Sequence, residues 1–282
     1  MHHLSAYSLF SIIVWSNPKL MSYYSIENDT LIICTEPEST PEGRHLILPF
    51  SLDQAITPEC LYDLANKTKF SKYYFIPEIF FEQHEQHKVE RHFIVSEQPE
   101  FADYIYLTED LVTLRGNKYA RQRNLIHQFH RKYLRNGRAH VAMITPDDIP
   151  DCLDFLQKWC DERDCDHEGN EDLACEKLAT INALRYLDHL ESQGILIRLD
   201  GKVSAFGICS HLTDDMGVLN FEKAFSHIKG LYQFLDNECA RRLFGQYTYI
   251  NKESDMNLPS LAQSKNSYNP VMKCRSYCLT VR

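Results

Sequence analysis

The fold is decided by residues 195–208, which read ILIRLDGKVSAFGI. Two apolar runs flank the pair Asp200-Gly201, and such a pair adopts the positive φ angles that a two-residue turn requires. The stretch therefore predicts a β-hairpin. Outward from it, strands are predicted at 218–224, 247–250 and 272–281, and helices at 146–163, 173–190, 228–243 and 259–267. The predicted order from residue 146 onward is ααβββαβαβ.

The first third of the chain mixes strands and helices. Asn28-Asp29 lies between two apolar runs within residues 25–34 and predicts a second hairpin. Further strands are predicted at 45–50, 73–76, 92–95 and 103–107, and helices at 51–69 and 77–89. This mixture predicts the α/β (α+β) fold class.

A basic segment separates the two halves. Residues 117–138 contain seven Lys or Arg, two His and no acidic residue, while apolar side chains recur at helical intervals. We expect one face of this helix to pack and the other to stay cationic. The predicted domains are residues 1–116, a basic connecting helix at 117–138, and residues 139–282.

Composition bounds the class of protein. With 282 residues, 44% hydrophobic and 24% charged, the sequence is typical of a globular protein and excludes a disordered or collagen-like chain. The 30 basic against 39 acidic residues leave a net charge of −9, so any nucleic-acid contact must be local. The apolar run at 9–15 is shorter than the roughly 20 residues of a membrane span. We expect no transmembrane segment and a cytoplasmic location.

The ten cysteines are spread along a chain long enough to build a core, so reduced thiols are expected. Four residues invite comparison with a zinc site, namely Cys160, Cys165, His167 and Cys175. Their spacing is not that of a usual zinc site, and an acidic loop between helices is the alternative. We therefore predict no metal.

Seven short motifs carry a family resemblance. They are DYIYL (103–107), LRGNKY (114–119), RQRN (121–124), FEKA (221–224), IKGLYQ (228–233), YINKESD (249–255) and SKNSYNP (264–270). In this order they resemble a bacterial family of tandem GNAT-like (Gcn5-related N-acetyltransferase-like) proteins. That family is related to the C-terminal catalytic domain of phosphatidylglycerol lysyltransferase. The resemblance covers residues 25–280.

The resemblance implies two GNAT-like domains in tandem and a function in acyl transfer. The leading hypothesis is transfer of an aminoacyl group from aminoacyl-tRNA to an amine or hydroxyl acceptor. The partners would be the acceptor end of a tRNA and a small molecule, peptide or lipid headgroup. Two alternatives remain open: an acyl-CoA-dependent N-acetyltransferase acting on a small amine, and a non-catalytic binding module. No metal or redox cofactor is required.

Three residues are candidates for catalysis. By the resemblance, Lys265 stabilises a developing oxyanion, and Tyr268 supplies a second donor or orients the substrate. Glu222, on the third predicted strand, is placed to deprotonate the attacking amine or hydroxyl. The alternatives are a solvated surface lysine and an ion-paired strand residue. The relatives' Arg three residues before Lys265 is Ala262 here.

Gly230 lies where a strand gives way to a helix, a position whose N–H groups bind phosphate. Lys229 adds charge, and Tyr232 is the third candidate in this turn. The acetyl-CoA pattern of GNAT enzymes is Q/R-x-x-G-x-G/A, whereas this chain has His227 and Tyr232 at the first and last of these places. A helix-entry turn without a ligand is the alternative.

A polar run after the strand at 247–250 supplies four binding candidates, Asn251, Lys252, Glu253 and Asp255. The relatives have Arg, Glu and Gly where this chain has Lys252, Ser254 and Asn257. A helix-capping loop is the alternative.

The basic helix supplies three more binding candidates, Arg121, Arg123 and Asn124. They are predicted to contact tRNA phosphates or anionic lipid headgroups. A solvated face or an interdomain strip of ion pairs is the alternative.

Overall fold

The computed structural model describes residues 3–38, 40–163, 165 and 171–282. The strands are β1 (Leu20–Glu27), β2 (Thr30–Pro37), β3 (His45–Leu46), β4 (Phe50–Ser51), β5 (Lys72–Pro77), β6 (Phe93–Glu97), β7 (Asp103–Leu107), β8 (Ala139–Met143), β9 (Gln193–Leu199), β10 (Lys202–Thr213), β11 (Met216–Ala224), β12 (Tyr249–Asn251), β13 (Met272–Cys274) and β14 (Ser276–Val281). The α-helices are α1 (Leu9–Val14), α2 (Pro58–Thr68), α3 (Glu78–His84), α4 (Gln86–Val89), α5 (Thr108–Thr113), α6 (Ala120–Phe129), α7 (Ile149–Asp161), α8 (Glu171–Arg185), α9 (Leu231–Leu243) and α10 (Pro259–Asn266). None of these helices is long and apolar enough to cross a membrane.

The strands form two sheets that exchange strands. The first sheet has the order β1-β2-β3-β5-β14-β6, with β4 paired to β2. The second has the order β13-β7-β12-β11-β10-β9-β8. Strand β7 thus leaves the first half of the chain to join the second sheet, and β14 at the end of the chain lies between β5 and β6 in the first. Each half contributes a strand to the sheet of the other.

Apolar side chains of the described residues form three clusters. One covers the first sheet and includes Leu61, Phe93 and Leu279. The second sheet has a cluster containing residues of α9, such as Leu235, and another containing residues of α7, such as Phe155. Burial of apolar surface in these clusters is the main favourable contribution to folding.

Both predicted hairpins are confirmed. Strands β9 and β10 pair antiparallel around Asp200-Gly201, and β1 pairs with β2 around Asn28-Asp29. Asp200, Gly201, Asn28 and Asp29 all have positive φ, as these tight turns require. The α/β fold class is confirmed as well.

Several elements differ from their predictions, and three of them serve as examples. The strand predicted at 272–281 is two strands, β13 and β14, which lie in different sheets. The helix predicted from residue 51 begins at Pro58, because proline favours the first turn of a helix and Thr57 caps it. Residues 9–15 contain helix α1, which was not predicted. The division into domains 1–116, 117–138 and 139–282 stays a prediction.

Strands β11 and β12 pair in parallel over only three residues. Their last paired residues are Val218 and Asn251, after which β11 continues to Ala224 and the chain after β12 turns away. The two strands therefore diverge and leave a wedge in the second sheet. Helix α9 follows β11 after a short turn and packs against this sheet.

Candidate functional site

A buried ion cluster occupies the wedge between β11 and β12. Lys252, the first residue after β12, places its Nζ 2.5 Å from Oδ2 of Asp236 on α9 and 2.8 Å from Oε2 of Glu222 on β11. The side chains are 9%, 6% and 19% exposed, respectively. An ammonium group thus bridges two carboxylates inside the protein. Such pairs tolerate burial only because each charge is compensated.

Aromatic rings line this cluster. The Lys252 Nζ lies 5.1 Å from the ring centre of Tyr268 and 6.0 Å from that of Tyr106. Tyr106 comes from β7, the strand that the first half of the chain contributes. Burial raises the pKa of Tyr268 well above its usual value, so its hydroxyl stays protonated.

The pKa values of Glu222 and Lys252 are shifted from their usual values. Burial raises the pKa of Glu222 to about 7, against the opposing effect of Lys252. Burial lowers the pKa of Lys252, but Asp236 and Glu222 outweigh it and hold that pKa well above the ordinary value. The second oxygen of Glu222, Oε1, is buried and has no hydrogen-bond partner among the described residues. This oxygen thus retains an unused acceptor position.

Lys265 lies on α10 and reaches the same region. Its Nζ donates to the main-chain oxygens of Lys252 and Glu253, the latter at 3.1 Å. Tyr106 fixes the helix at this point, since its hydroxyl donates to the Lys265 carbonyl at 2.8 Å. Burial lowers the pKa of Lys265 to about 8, partly offset by Glu253. An ammonium has three N–H groups, so one has no acceptor among the described residues.

Glu253 occupies the other side of this segment. Its Oε1 accepts a hydrogen bond from Asn220 Nδ2 at 3.3 Å, and its main-chain N–H donates to Asn251 Oδ1 at 2.7 Å. Burial, reinforced by Asp103, raises the pKa of Glu253 to about 8. Its φ of 57° is unusual for a residue other than glycine. Such strained backbone is concentrated at functional sites.

The first residues of the chain complete the surroundings of Asn251. The Asn251 amide donates to the His3 carbonyl at 2.9 Å and to Asp103 Oδ2 at 2.8 Å. The Ser5 main-chain N–H donates to the same Asp103 oxygen at 2.6 Å. Asn251 is fully buried. It therefore holds the segment after β12 in place.

Asp255 lies near the surface end of the cluster. Its Oδ2 accepts a hydrogen bond of 2.5 Å from the Tyr104 hydroxyl, and its Oδ1 accepts one of 2.9 Å from the Asn257 main-chain N–H. Both oxygens are used within the loop. These contacts match the capping-loop alternative for this residue.

The turn at Gly230 packs against helix α6. Gly230 has a φ of 83°, and a Cβ added there would lie 2.3 Å from the Leu125 carbonyl oxygen. Lys229 beside it is exposed. The Tyr232 hydroxyl lies 3.2 Å from Trp159 Nε1, from which it accepts a hydrogen bond. The positive φ and the close packing both require glycine at this position. Lys229, Gly230 and Tyr232 do not join the Lys252 cluster.

The candidates on α6 lie outside the cluster too. Arg121, Arg123 and Asn124 are exposed. Arg123 Nη1 donates to the carbonyl oxygens of Leu114 and Gly116, the latter at 2.6 Å. The buried face of the same helix contacts the end of α10, where Gln122 Nε2 donates to the Ser267 carbonyl at 2.8 Å.

The structure thus brings together five of the predicted residues, Glu222, Lys252, Glu253, Lys265 and Tyr268. Asp236 was missed because it lies on a helix whose apolar pattern predicted only packing. Asp103 and Asn220 were missed because each lies in an apolar strand. A buried position for an acidic or amide side chain is decided by contacts between distant segments, which spacing does not report.

No group of three or more His, Cys, Asp or Glu side chains in residues 3–38, 40–163, 165 and 171–282 is arranged to hold a metal ion. His167 lies outside the described residues. Cys160 and Cys165 are buried in the cluster that includes α7, and burial raises the pKa of Cys160 to about 12. A thiol with such a pKa stays protonated at neutral pH.

A family model described as the C-terminal region of phosphatidylglycerol lysyltransferase matches residues 56–280. The chain belongs to this family. The resemblance inferred from the sequence motifs is confirmed. The family and the fold support an acyltransferase of the phosphatidylglycerol lysyltransferase C-terminal, GNAT-like type. The chain matches none of the curated proteins.

Solved structures resemble the whole chain. A conserved protein of unknown function from Bacteroides thetaiotaomicron is 26% identical, with a TM-score of 0.88 over 100% of this chain and 92% of that chain. The C-terminal domain of a protein assigned as a lysylphosphatidylglycerol synthetase from Agrobacterium fabrum is 14% identical, with a TM-score of 0.62 over 92% of this chain and 84% of that chain. A tandem GNAT protein from the clavulanic acid biosynthesis pathway is 8% identical, with a TM-score of 0.50 over 93% and 84%. The latter two show the fold alone, and the prediction of two GNAT-like domains is confirmed.

Replacing Gly230 by alanine tests its contact with α6. Gly201 is the matched control, because its φ of 82° is the same but a Cβ there meets nothing within 4 Å. We expect Gly201→Ala to lower the free energy of unfolding by about 1–2 kcal/mol through backbone strain. Gly230→Ala should lose about 1–3 kcal/mol more through the clash with Leu125. Urea denaturation measures both, and equal losses would contradict the tight contact.

Replacing Lys252 by methionine tests the ion cluster. The variant leaves Asp236 and Glu222 buried without their cation, so we expect the free energy of unfolding to fall by about 3–5 kcal/mol. Lys202→Met, at an exposed lysine of the β9–β10 turn, should change it by less than about 0.5 kcal/mol. Adding Glu222→Gln to Lys252→Met should restore part of the loss, since one uncompensated charge is removed. Denaturant unfolding at pH 8 measures all three, and the absence of any restoration would contradict the pairing.

Proposed function

We propose that the protein transfers an aminoacyl group from an aminoacyl-tRNA to an amine or hydroxyl acceptor. The observation that carries the proposal is the Lys265 ammonium, held inside the wedge by two main-chain carbonyl oxygens and left with one N–H group. Family membership supports acyl transfer in general. The relative from Agrobacterium fabrum, assigned as a lysylphosphatidylglycerol synthetase, supports the choice of an aminoacyl group and a lipid as one acceptor class.

The reaction needs a base for the acceptor. In the proposal, Glu222 accepts the proton of the amine or hydroxyl as it attacks the ester carbonyl carbon. The acceptor approaches Oε1, the oxygen without a hydrogen-bond partner among the described residues, while Oε2 stays on Lys252. The raised pKa of Glu222, about 7, makes this carboxylate a stronger base than one in water.

The attack produces a negative charge on the carbonyl oxygen. The remaining N–H of Lys265 donates to this oxyanion, and the Tyr268 hydroxyl is the second candidate donor. When the tetrahedral intermediate collapses, the bond between the carbonyl carbon and the ribose oxygen breaks, and that oxygen leaves as a hydroxyl by taking the proton that Glu222 accepted from the acceptor. The ester is already activated, so positioning and charge stabilisation are sufficient.

The proposal assigns roles to the remaining candidates. Lys252 and Asp236 orient Glu222, while Asn251, Glu253 and Asp255 shape the segment that carries the two carbonyl oxygens. Arg121 and Asn124 contact tRNA phosphates from the exposed face of α6. An acyl-CoA donor bound at the Gly230 turn is the competing possibility, and the packing of that turn against Leu125 weighs against it.

Replacing Lys265 by alanine tests the oxyanion role. We expect the rate of transfer from labelled aminoacyl-tRNA to fall by about 10²–10³-fold, the usual effect of removing such a donor. Lys202→Ala, at an exposed lysine of the β9–β10 turn, is the control and should transfer at the wild-type rate. Parallel reactions with acetyl-CoA test the alternative donor. A Lys265→Ala protein as active as the wild type would exclude the mechanism, and transfer from acetyl-CoA alone would exclude the donor.

The pH dependence of kcat/KM tests the assignment of Glu222 as the base and Lys265 as the oxyanion donor. Glu222 must be deprotonated to act as a base, so the rate should fall as the pH drops below about 7. Lys265 must be protonated to donate, so the rate should fall as the pH rises above about 8. Glu222→Gln should remove the acidic limb and keep the alkaline limb. Retention of both limbs in this variant would contradict the assignment.

A further inference from the structure

A cleft of about 360 Å³ lies beside helix α6, away from the Lys252 cluster. Four of its lining residues are basic or can carry a positive charge, Arg123, His127, His130 and Arg135. Among the residues that the structure describes, no acidic side chain lines it. The chain as a whole has a charge of −9, so this concentration of cationic side chains around one small cavity is local.

The helix is built so that these side chains share one face. Arg123, His127 and His130 follow the i, i+4, i+7 spacing of a helical face. In a regular α-helix the next residue on this face, three turns after Arg123, would be Leu134. Leu134 packs against the apolar cluster of α9 instead. Arg135 completes the face. It lies one residue further along the chain than the position that a regular α-helix would place on this face.

A π-helical turn at His130–Leu134 accounts for this shift. The main-chain N–H of Arg135 donates to the His130 carbonyl at 3.0 Å, and that of Arg138 donates to the Tyr133 carbonyl at 2.9 Å. Both bonds span five residues, so the turn contains one extra residue. Arg135 is thereby brought to the cleft while Leu134 turns inward. Such turns are rare in proteins and occur frequently at functional sites.

Two hydrogen bonds fix the Arg123 side chain in the wall of the cleft. Arg123 is held by the carbonyl oxygens of Leu114 and Gly116 through Nη1 alone. A guanidinium has five N–H groups, and the other three have no partner among the described residues. Asn237 of α9 also lines the cleft, and its neighbour Asp236 belongs to the Lys252 cluster. The cleft and the candidate catalytic site therefore lie on two sides of α9.

We propose that this cleft binds a phosphate group of the acyl donor. The two guanidinium groups supply planar pairs of donors that match phosphate oxygens, and the imidazoles add further donors. The phosphate belongs to the backbone of a tRNA or to the diphosphate of coenzyme A. The assignment to a donor rests on the proposed function, whereas phosphate binding itself does not.

Titration calorimetry of the full chain with pyrophosphate at low salt tests the cleft. The wild type should bind saturably, and Arg135→Gln and His130→Gln should each weaken binding at least tenfold. Arg131→Gln is the matched control, because it makes the same charge change on an exposed residue that does not line the cleft. We expect it to change the affinity less than twofold. Equal losses in Arg135→Gln and Arg131→Gln, or no saturable binding by the wild type below ~10 mM, would overturn the proposal.

Two further arms identify the donor. An RNA acceptor-stem helix is tested as a competitor of pyrophosphate. If it displaces pyrophosphate from the wild type and from Arg131→Gln but not from Arg135→Gln, the cleft is assigned to tRNA. The same result with coenzyme A assigns it to the nucleotide. Circular dichroism confirms that each variant is folded. If pyrophosphate binds as expected but no aminoacyl transfer occurs, the proposed function fails and the phosphate site stands. If transfer occurs and neither donor competes, the cleft proposal fails alone.

Discussion

The burial of the Lys252 ammonium between Asp236 and Glu222 is the constraint on which the candidate site depends. A charge removed from water must be compensated, and here the compensation comes from a strand, a helix and the segment after another strand. These three elements are therefore held in one arrangement. The divergence of β11 and β12 supplies the space, and the ion cluster determines which side chains fill it. The arrangement of the strands thus decides which charged side chains are placed together.

Because the two sheets exchange strands, the candidate site contains residues from both halves of the chain. Strand β7 brings Tyr104 and Tyr106 from the first half to the second sheet, where Tyr106 lies beside Lys252 and holds Lys265. The first residues of the chain reach the same region through His3 and Ser5. Neither half holds all of these groups. The candidate site is therefore assembled from segments that are far apart in the chain.

Burial also sets the chemistry that the cluster can perform. Glu222 and Glu253 have raised pKa values of about 7 and 8, and Lys265 has a lowered one of about 8. In water these groups titrate far from neutrality, and burial brings them to the range in which proton transfer is efficient. Perturbed pKa values grouped in one place are typical of functional sites, although buried ion pairs of purely structural importance show them too. The free N–H of Lys265 and the unpartnered oxygen of Glu222 favour function.

Local chemistry in the sequence determined the two hairpins, most helices and the α/β class, because turn residues and periodic apolar spacing act over a few neighbours. The ordered motifs also determined the family and pointed to Lys265 and Glu222. Only the tertiary structure decided that residues 272–281 divide between two sheets, that Asp236 joins the site and that Gly230 packs on α6. It also decided the π-helical turn that moves Arg135 by one position. These features depend on contacts between segments far apart in the chain, and such contacts leave no periodic signal because their free energy depends on burial and charge compensation in three dimensions.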